Sequence, residues 1–268
     1  MALEPFDILY EAELPAYKLP ADLHHIYGRL GFSAPSMYSN FVASIDGVVS
    51  LGSVPSAGSV VSGKYPADRF LMGLLRACAD AVVIGAGTLR ATPGHRWTPA
   101  HVYPGLATEF TALRSALGRA PEPKLVVITS TGNIDAAHPA LAEGAIVLTT
   151  TKGRRAIGGS LPEACEIIDL GRGDRLELAL AIDTLRNRGL NILLTEGGPS
   201  LMGNLVEDGL LDEAFLTLSP VMAGRNQDER SGMVEGVELL PERGIWGRLL
   251  SARRHGDFLF LRYRVKRT

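Results

Sequence analysis

A glutamate followed by a glycine-rich run is the part of this sequence best suited to chemistry. Residues 195–200 read Thr-Glu-Gly-Gly-Pro-Ser and follow the apolar segment Leu190–Leu194. Glycine lets the backbone approach a ligand closely, and proline is tolerated in the first turn of a helix. The N–H groups of such a turn attract phosphate or pyrophosphate. The run therefore predicts an anion site with Glu196 beside it, although a tight turn next to a solvated carboxylate explains these six residues equally well.

Three further turns of small or polar residues also follow apolar segments. They are Asp46-Gly47, Gly85–Thr88 and Thr129–Gly132. In open α/β sheets, ligands bind beyond the carboxyl ends of the strands. We therefore expect these turns to share one edge of a sheet with Glu196. Gly85–Thr88 is only part of a dinucleotide-binding pattern, and by itself it favours an ordinary turn after a strand.

Two arginines are candidates for binding a phosphate. Arg69 and Arg76 are seven residues apart in Pro66–Ala79, a segment with helical spacing, on the face opposite Phe70 and Leu74. Such a face is either solvated or a clamp for an anion. The spacing leaves both interpretations open.

Several other kinds of chemistry lack their motifs. The sequence contains no H-E-x-x-H, C-x-x-C or G-x-S-x-G pattern and no zinc deaminase signature, and His24-His25 are adjacent. We therefore predict no metal site. The two cysteines, Cys78 and Cys165, lie in apolar runs, which favours buried free thiols in a reducing compartment.

The composition is that of an ordinary globular protein. The 268 residues are 46% hydrophobic and 21% charged, with a net charge of −2. A near-neutral chain without a basic run predicts binding neither to nucleic acid nor to a membrane surface. No apolar stretch approaches the roughly 20 residues of a membrane span, and the N-terminus has no signal-peptide pattern. We therefore expect a cytoplasmic protein.

The elements that must position the candidate residues alternate between strands and helices. Apolar runs predict strands at 37–44, 81–84, 124–128, 145–148, 165–169, 190–194, 214–219, 246–252 and 258–265. Helices are predicted at 66–79 and 106–117, from an N-cap at Asp174 to Gly189, and from 199 to about 208, with a loop at Leu89–Pro104. This order predicts an α/β fold: a mostly parallel sheet flanked by helices, with an antiparallel C-terminal edge. Residues 1–36 are predicted to be an arm packed on the body, with one short helix around 22–30, and 37–268 a single domain.

Taken in order, seven segments of the chain resemble one family. They are Phe41–Gly47, Ser62-Gly63, Asp68-Arg69, Leu74–Arg76, Ala79–Thr88, Thr195–Leu201 and Leu211–Glu213. Together they are similar to the reductase of riboflavin biosynthesis, which is the C-terminal part of the bifunctional pyrimidine deaminase/reductase, here as a stand-alone chain. The resemblance covers roughly residues 37–265.

This resemblance implies a dihydrofolate-reductase-like fold, NADPH as cofactor and a homodimer. It also implies a small phosphorylated pyrimidine as substrate: the family reaction reduces the ribosyl group of 5-amino-6-(5-phosphoribosylamino)uracil to a ribityl chain. Carried over by position, the cofactor-binding residues are Ala43, Thr88, Ser130, Gly197, Gly198, Pro199, Ser200, Leu201 and Met202. Ser62, Arg76 and Glu196 would face the substrate, with Arg76 near its phosphate.

Asp46 and Glu196 are the carboxylates at the matched strand ends, and the resemblance makes them candidates for polar contacts or proton transfer. It also implies a cis peptide bond between Gly197 and Gly198. A basic turn at Thr149–Lys152 with Arg154 and Arg155 is either an exposed turn or a site for a 2′-phosphate. Two alternatives stay open: a reductase of the same fold with another substrate such as dihydrofolate, and a nucleotide-binding protein without turnover.

Overall fold

One sheet runs through the whole molecule. The computed structural model describes residues 3–52, 57–225 and 230–265, so the ends of the predicted arm and domain, 1–2 and 266–268, lie outside the described residues. The ten strands of the described chain are β1 Asp7–Glu11, β2 Ser36–Ser44, β3 Ala81–Gly85, β4 Lys124–Thr129, β5 Ala145–Thr149, β6 Glu166–Asp169, β7 Ile192–Thr195, β8 Glu213–Ser219, β9 Gly247–His255 and β10 Phe258–Val265. Its α-helices are α1 Ala21–Tyr27, α2 Ala57–Val61, α3 Pro66–Cys78, α4 Ala86–Ala91, α5 Pro99–Val102, α6 Ala107–Ala116, α7 Thr151–Ile157, α8 Leu178–Arg186 and α9 Pro199–Glu207.

The strand order confirms the predicted fold class. From edge to edge the order is β1-β9-β10-β8-β2-β7-β3-β4-β5-β6. The strands from β8 to β6 in this order are parallel, whereas β10, β9 and β1 are antiparallel. Strand β7 enters between β2 and β3, so the direction of winding changes there. Such a switch point opens a crevice at the carboxyl ends of the strands.

The parallel strands are short apolar runs because helices cover both of their faces. On one face, Val82 and Ile84 of β3 pack in a cluster with α1, α3 and α6. On the other face, Val83 packs with Ile182 of α8 and Leu205 of α9. Alternate residues of β3 thus enter opposite cores, and both helix layers are anchored around the crevice.

The N-terminal residues add to the same sheet. Strand β1 pairs antiparallel with β9, and Phe6 and Leu23 are buried in the core cluster that contains α3. Helix α1 ends sooner than predicted because Gly28 adopts a φ of +86°, which helical residues do not have. Both cysteines are free; Cys78 is buried and Cys165 is half-buried.

Two predicted elements differ from the structure. The predicted loop Leu89–Pro104 contains part of α4 and all of α5, helices too short to give a clear periodic pattern. The predicted N-cap at Asp174 is wrong, because α8 begins only at Leu178. The chain before α8 is held elsewhere, since the backbone N–H of Leu176 donates to Oγ of Ser130 over 3.1 Å.

Candidate functional site

The predicted turns lie at the carboxyl edge of the sheet, and two of them meet at β7. The backbone N–H of Glu196 donates to the carbonyl oxygen of Val83 on β3 over 3.2 Å. A Cβ atom built on Gly198 would lie 3.6 Å from Oγ1 of Thr88. The structure therefore brings the end of β3 and the start of α9 together, as the sequence predicts for Thr88 and Gly198.

The N-terminus of α9 is open toward the crevice. Gly198 is the N-cap residue in an extended conformation, no side chain caps the helix, and Pro199 occupies the first turn. The N–H groups of a first helical turn lack intrahelical partners. Open space also lies at the end of β3, because a Cβ on Gly85 or Gly87 would meet nothing within 4 Å. This cradle suits the phosphates of a dinucleotide.

The peptide bond between Gly197 and Gly198 is trans. Among the described residues the cis bonds are Ala34-Pro35 and Leu240-Pro241, so the cis bond implied by the resemblance is wrong here. Gly198 reaches its N-cap conformation, with φ −69° and ψ 173°, across an ordinary trans bond. A cis bond before a residue other than proline would cost about 3 kcal/mol, and this geometry does not require one.

Arg76 and Glu196 form a buried bidentate ion pair. Nε of Arg76 donates to Oε1 of Glu196 over 3.0 Å, and Nη2 donates to Oε2 over 2.6 Å. Nη1 donates to the carbonyl oxygens of Arg96 and Thr98, at 3.2 and 3.3 Å, and Nη2 also lies 2.9 Å from Nε2 of His95. A guanidinium has five N–H donors, so these contacts use all of them.

This arrangement leaves Arg76 little means to contact the substrate phosphate that the resemblance places near it. The Arg76 side chain is 1% exposed, and no N–H remains for a ligand. Arg76 instead fixes the Glu196 carboxylate and the segment 95–98. Arg69, seven residues earlier on the same helix, is exposed and donates from Nε to the carbonyl oxygen of Val102 over 3.0 Å.

His95 completes the surroundings of Arg76, and neither a motif nor its spacing predicted this. Burial, followed by the charge of Arg76, lowers the pKa of His95 to about 3. The imidazole is therefore neutral at physiological pH, and its Nε2 can accept a hydrogen bond from Arg76. A ring contact with the buried Trp97, with centroids 5.0 Å apart, holds the imidazole in place.

Asp46 fastens a neighbouring segment of backbone. Its carboxylate accepts from Oγ of Ser44 over 2.6 Å and from the backbone N–H groups of Ala223 and Gly224 over 3.0 and 2.7 Å. The hydrogen bond from Ser44, followed by that from Ala223, lowers the pKa of Asp46 to about 2. These three hydrogen bonds give Asp46 a positional role, because they join the end of β2 to the segment around Ala223 and Gly224.

Replacing Asp46 with asparagine is expected to loosen segment 221–225. The amide oxygen of asparagine can accept one of the two N–H groups, whereas its NH2 group can accept neither. We expect faster hydrogen exchange at Ala223 and Gly224, measured by mass spectrometry between about pH 5 and pH 8, where the native carboxylate is ionised. Ser44→Ala, which keeps both backbone donors paired, is the control. Unchanged exchange together with a loss of turnover would instead assign Asp46 to the reaction.

Ser62 and Asp68 lie together near the start of α3. Ser62 is 3% exposed and Asp68 is 4% exposed. Burial raises the pKa of Asp68 to about 6, although the hydroxyl groups of Thr217 and Ser62 act to lower it, and Glu196 is close enough to raise it. The sequence assigned Asp68 no role, but it carried a signal: Asp68 is three and seven residues before Leu71 and Leu75, so a carboxylate lies on the apolar face of the helix.

The remaining predicted cofactor residues differ in how far they are exposed. Ala43 is 4% exposed and Met202 is 1% exposed, with its side chain in the core under α9. Oγ of Ser130 already accepts the Leu176 N–H. Ala43 and Met202 can therefore contact a ligand through little more than their backbone, whereas Ser200 is exposed and Leu201 is partly exposed at the open end of α9.

The basic turn has its threonine hydroxyls engaged within the fold. Oγ1 of Thr149 donates to the carbonyl oxygen of Thr129 over 2.6 Å, and Oγ1 of Thr150 donates to that of Ser130 over 2.7 Å. Lys152 is exposed at the surface. Lysine and arginine of this turn are therefore the groups left to meet a 2′-phosphate.

Neither a metal cluster nor a membrane span is found in the described part of the chain. Residues 3–52, 57–225 and 230–265 hold no group of three or more His, Cys, Asp or Glu side chains arranged to bind a metal ion. Over the same ranges, no helix has the length and apolar character to cross a bilayer.

Comparison with known proteins points to one group. Residues 35–242 match the family described as the RibD C-terminal domain. A protein of Archaeoglobus fulgidus named 2,5-diamino-6-ribosylamino-4(3H)-pyrimidinone 5′-phosphate reductase is 25% identical over 195 residues, which are 71% of this chain and 82% of that protein.

Solved structures share the fold. A pyrimidine reductase-like protein of Corynebacterium diphtheriae superposes with a TM-score of 0.70 at 22% identity, covering 92% of this chain and 99% of that one. Form 1 of Acinetobacter baumannii RibD gives 0.66 at 17% identity, covering 87% of this chain and 59% of that one. The Saccharomyces cerevisiae riboflavin biosynthesis reductase Rib7 gives 0.62 at 13% identity, covering 89% and 94%.

Proposed function

The chain belongs to the RibD C-terminal domain family and is an oxidoreductase of the pyrimidine reductase type; we propose that it uses NADPH to reduce the ribosyl group of a phosphoribosylaminopyrimidine to a ribityl chain in riboflavin biosynthesis. The observation that carries the proposal is the uncapped N-terminus of α9 beside the fixed Glu196 carboxylate. The helix N-terminus suits a cofactor phosphate, and the Glu196 carboxylate suits a polar substrate. Homodimerisation and a cytoplasmic location stay predictions from the sequence.

The residues at the switch point fit NADPH. The first turn of α9, from Gly198 to Leu201, would hold the cofactor phosphates, and Thr88 would line the other side of that cradle. When bound, NADPH supplies a hydride. The protein's own contribution is then to align the sugar with the cofactor and to keep water out of the crevice.

Glu196 is suited to orienting the sugar. Its side chain is 9% exposed, and Arg76 holds both of its oxygens, so the carboxylate has one fixed position. Each carboxylate oxygen has a second lone pair that can accept from a sugar hydroxyl. We therefore assign Glu196 to substrate positioning, with Arg76 as the residue that fixes it.

Purified protein is expected to oxidise NADPH only when a phosphoribosylaminopyrimidine is present. The near-ultraviolet absorbance of NADPH reports turnover, with dihydrofolate as a competing substrate and the Glu196→Gln variant as a comparison. We expect Glu196→Gln to lower kcat/KM about 10- to 100-fold, because one charge-assisted hydrogen bond of about 1.5–3 kcal/mol is lost. Faster turnover of dihydrofolate would favour the other reductase, and NADPH binding without turnover of any substrate would favour a nucleotide-binding protein.

A further inference from the structure

The antiparallel part of the sheet turns leucines toward its surface. In β10 the side chain of Arg262 is 3% exposed, whereas Leu259 and Leu261 on the other face are half-buried. In β8 Thr217 is 1% exposed and lies between two half-buried leucines. An antiparallel sheet with one solvated face normally places apolar residues on the buried face and polar residues on the solvated one. Here leucines occupy the face where polar residues are expected.

The strand register joins these leucines into one continuous surface. Residues on this face pair in three rows, which are Leu218 with Leu259, Leu216 with Leu261, and Leu249 with Tyr263. The middle row continues through Ala252 of β9 to Tyr10 of β1, whose side chain is 45% exposed. We call these eight residues the leucine face.

No helix layer covers the leucine face in the part of the chain that the structure describes. None of its residues belongs to the apolar clusters in which α3 packs on one side of the sheet and α8 and α9 on the other. The helices α8 and α9 cover the parallel strands on this side, around Val83 and Leu193, and the antiparallel strands lie beyond them. Contiguous apolar surface of this kind marks a site of association.

The charges nearest to the leucine face are already paired with each other. The row of Leu218 and Leu259 continues to Arg254 and then to Asp7 at the edge of the sheet. Nη2 of Arg254 lies 2.7 Å from Oδ2 of Asp7. A partner recognised by charge would need unpaired charges to meet, whereas the centre of a homodimer interface is apolar and poor in charge. The leucine face therefore suits a second copy of itself.

Its size agrees with the centre of a dimer interface. Four strands span about 19 Å, and three rows of alternate residues extend about 20 Å along the strands, which gives about 400 Å². Each partner in a standard interface buries roughly 800 Å², of which the outer part is a polar rim. Two such sheets can pack face to face, and a two-fold axis brings the same surface from both copies.

We propose that a second copy of this chain packs its leucine face against that of the first across a two-fold axis, so that the antiparallel parts of two sheets form a sandwich. The proposal assigns a surface to the homodimer that the sequence predicts. It goes beyond the proposed function and does not depend on it, because neither substrate nor cofactor takes part in the contact.

The mass of the wild-type protein in solution is the first test. Sedimentation equilibrium at micromolar concentration, without substrate or cofactor, is expected to give twice the 28.6 kDa of one chain. A wild-type protein that stays at 28.6 kDa overturns the proposal. If that monomer sediments with vesicles of phosphatidylcholine and phosphatidylserine, the leucine face belongs to a membrane surface instead.

A lysine in the middle row is expected to separate the two copies. Leu261→Lys places one charge from each copy in the apolar centre, so the Kd of the dimer should rise at least about 100-fold. Leu180→Lys is the matched control, because Leu180 is a leucine on the outer side of α8 that is 42% exposed, and this variant should stay dimeric. A thermal melt checks that both variants are folded. A folded Leu261→Lys variant that remains a dimer overturns the proposal.

Cysteine labelling identifies the covered surface without placing a charge in it. Tyr10→Cys and Leu180→Cys change two side chains of similar exposure, 45% and 42%. We expect a maleimide to label position 10 at least about tenfold more slowly than position 180, because only a dissociated copy reacts there. Mass spectrometry locates the label, and dilution should remove the difference. Equal labelling of both positions in a protein of dimeric mass would place the dimer contact elsewhere and overturn the leucine face. Turnover of a pyrimidine is measured separately, so failure of the reductase leaves this result unaffected.

Discussion

Replacing Arg76 with alanine is expected to lower the free energy of unfolding by about 3–5 kcal/mol, the usual cost of removing one partner from a buried ion pair. The change leaves the Glu196 carboxylate, whose side chain is 9% exposed, without its cation. It also removes the donors to the carbonyl oxygens of Arg96 and Thr98 and to His95. Urea unfolding, followed by intrinsic fluorescence, measures the difference.

The neighbouring arginine provides the control. Arg69→Ala removes an exposed side chain with one hydrogen bond to a backbone carbonyl, so its cost should stay at about 1 kcal/mol or less. A double variant, Arg76→Leu with Glu196→Leu, should recover much of the lost stability, because apolar side chains can replace a buried pair. If Arg76 instead served only a substrate phosphate, Arg76→Ala would unfold like wild type and raise only the KM of the phosphorylated substrate.

The contrast between these arginines shows what spacing can predict. Arg69 and Arg76 are seven residues apart and therefore share one face of α3. The face is covered only at its later end: Pro99 of α5 and Phe110 of α6 approach Gly73 so closely that a Cβ there would clash. Those contacts come from distant segments, so helical periodicity identified the face but not the burial of Arg76.

The same limit applies to the acidic residues. Asp46 is a candidate site residue because it follows a predicted strand. Its carboxylate accepts hydrogen bonds from Ala223 and Gly224, which lie nearly 180 residues later in the chain and could not be predicted as partners. Asp68 was passed over because an acid in the first turn of a helix is common and favourable. Its distinguishing feature, burial without an ion pair among the described residues, depends on how distant segments cover the start of α3.

The fold itself was easier to predict. Parallel strands buried on both faces leave a strong sequence signal as short apolar runs, and the turns after them marked the correct edge. The insertion of β7 between β2 and β3 left no local signal, although it creates the crevice. The cradle forms because β7 lies beside β3, which brings Gly198 close to Thr88. Neither segment predicts this contact alone.

Gly198→Val is expected to abolish measurable NADPH binding while the protein stays folded. The backbone at Gly198, with φ −69° and ψ 173°, is allowed for any residue, and a Cβ would contact only Oγ1 of Thr88 at 3.6 Å. The valine methyl groups would nevertheless fill the cradle between Thr88 and the first turn of α9. Losing two charge-assisted hydrogen bonds of about 1.5–3 kcal/mol each corresponds to at least a 100-fold weaker Kd.

Calorimetric titration with NADPH measures the affinity, and a thermal melt checks the fold. Gly159→Val is the matched control, because a Cβ on this exposed glycine meets nothing within 4 Å and the residue is far along the chain from α9. Gly198→Ala should give an intermediate loss, since its single methyl group fills less of the cradle. A Gly198→Val variant with wild-type affinity would place the cofactor phosphates elsewhere, and the α9 terminus would then be an ordinary helix start rather than the feature on which the proposed reductase depends.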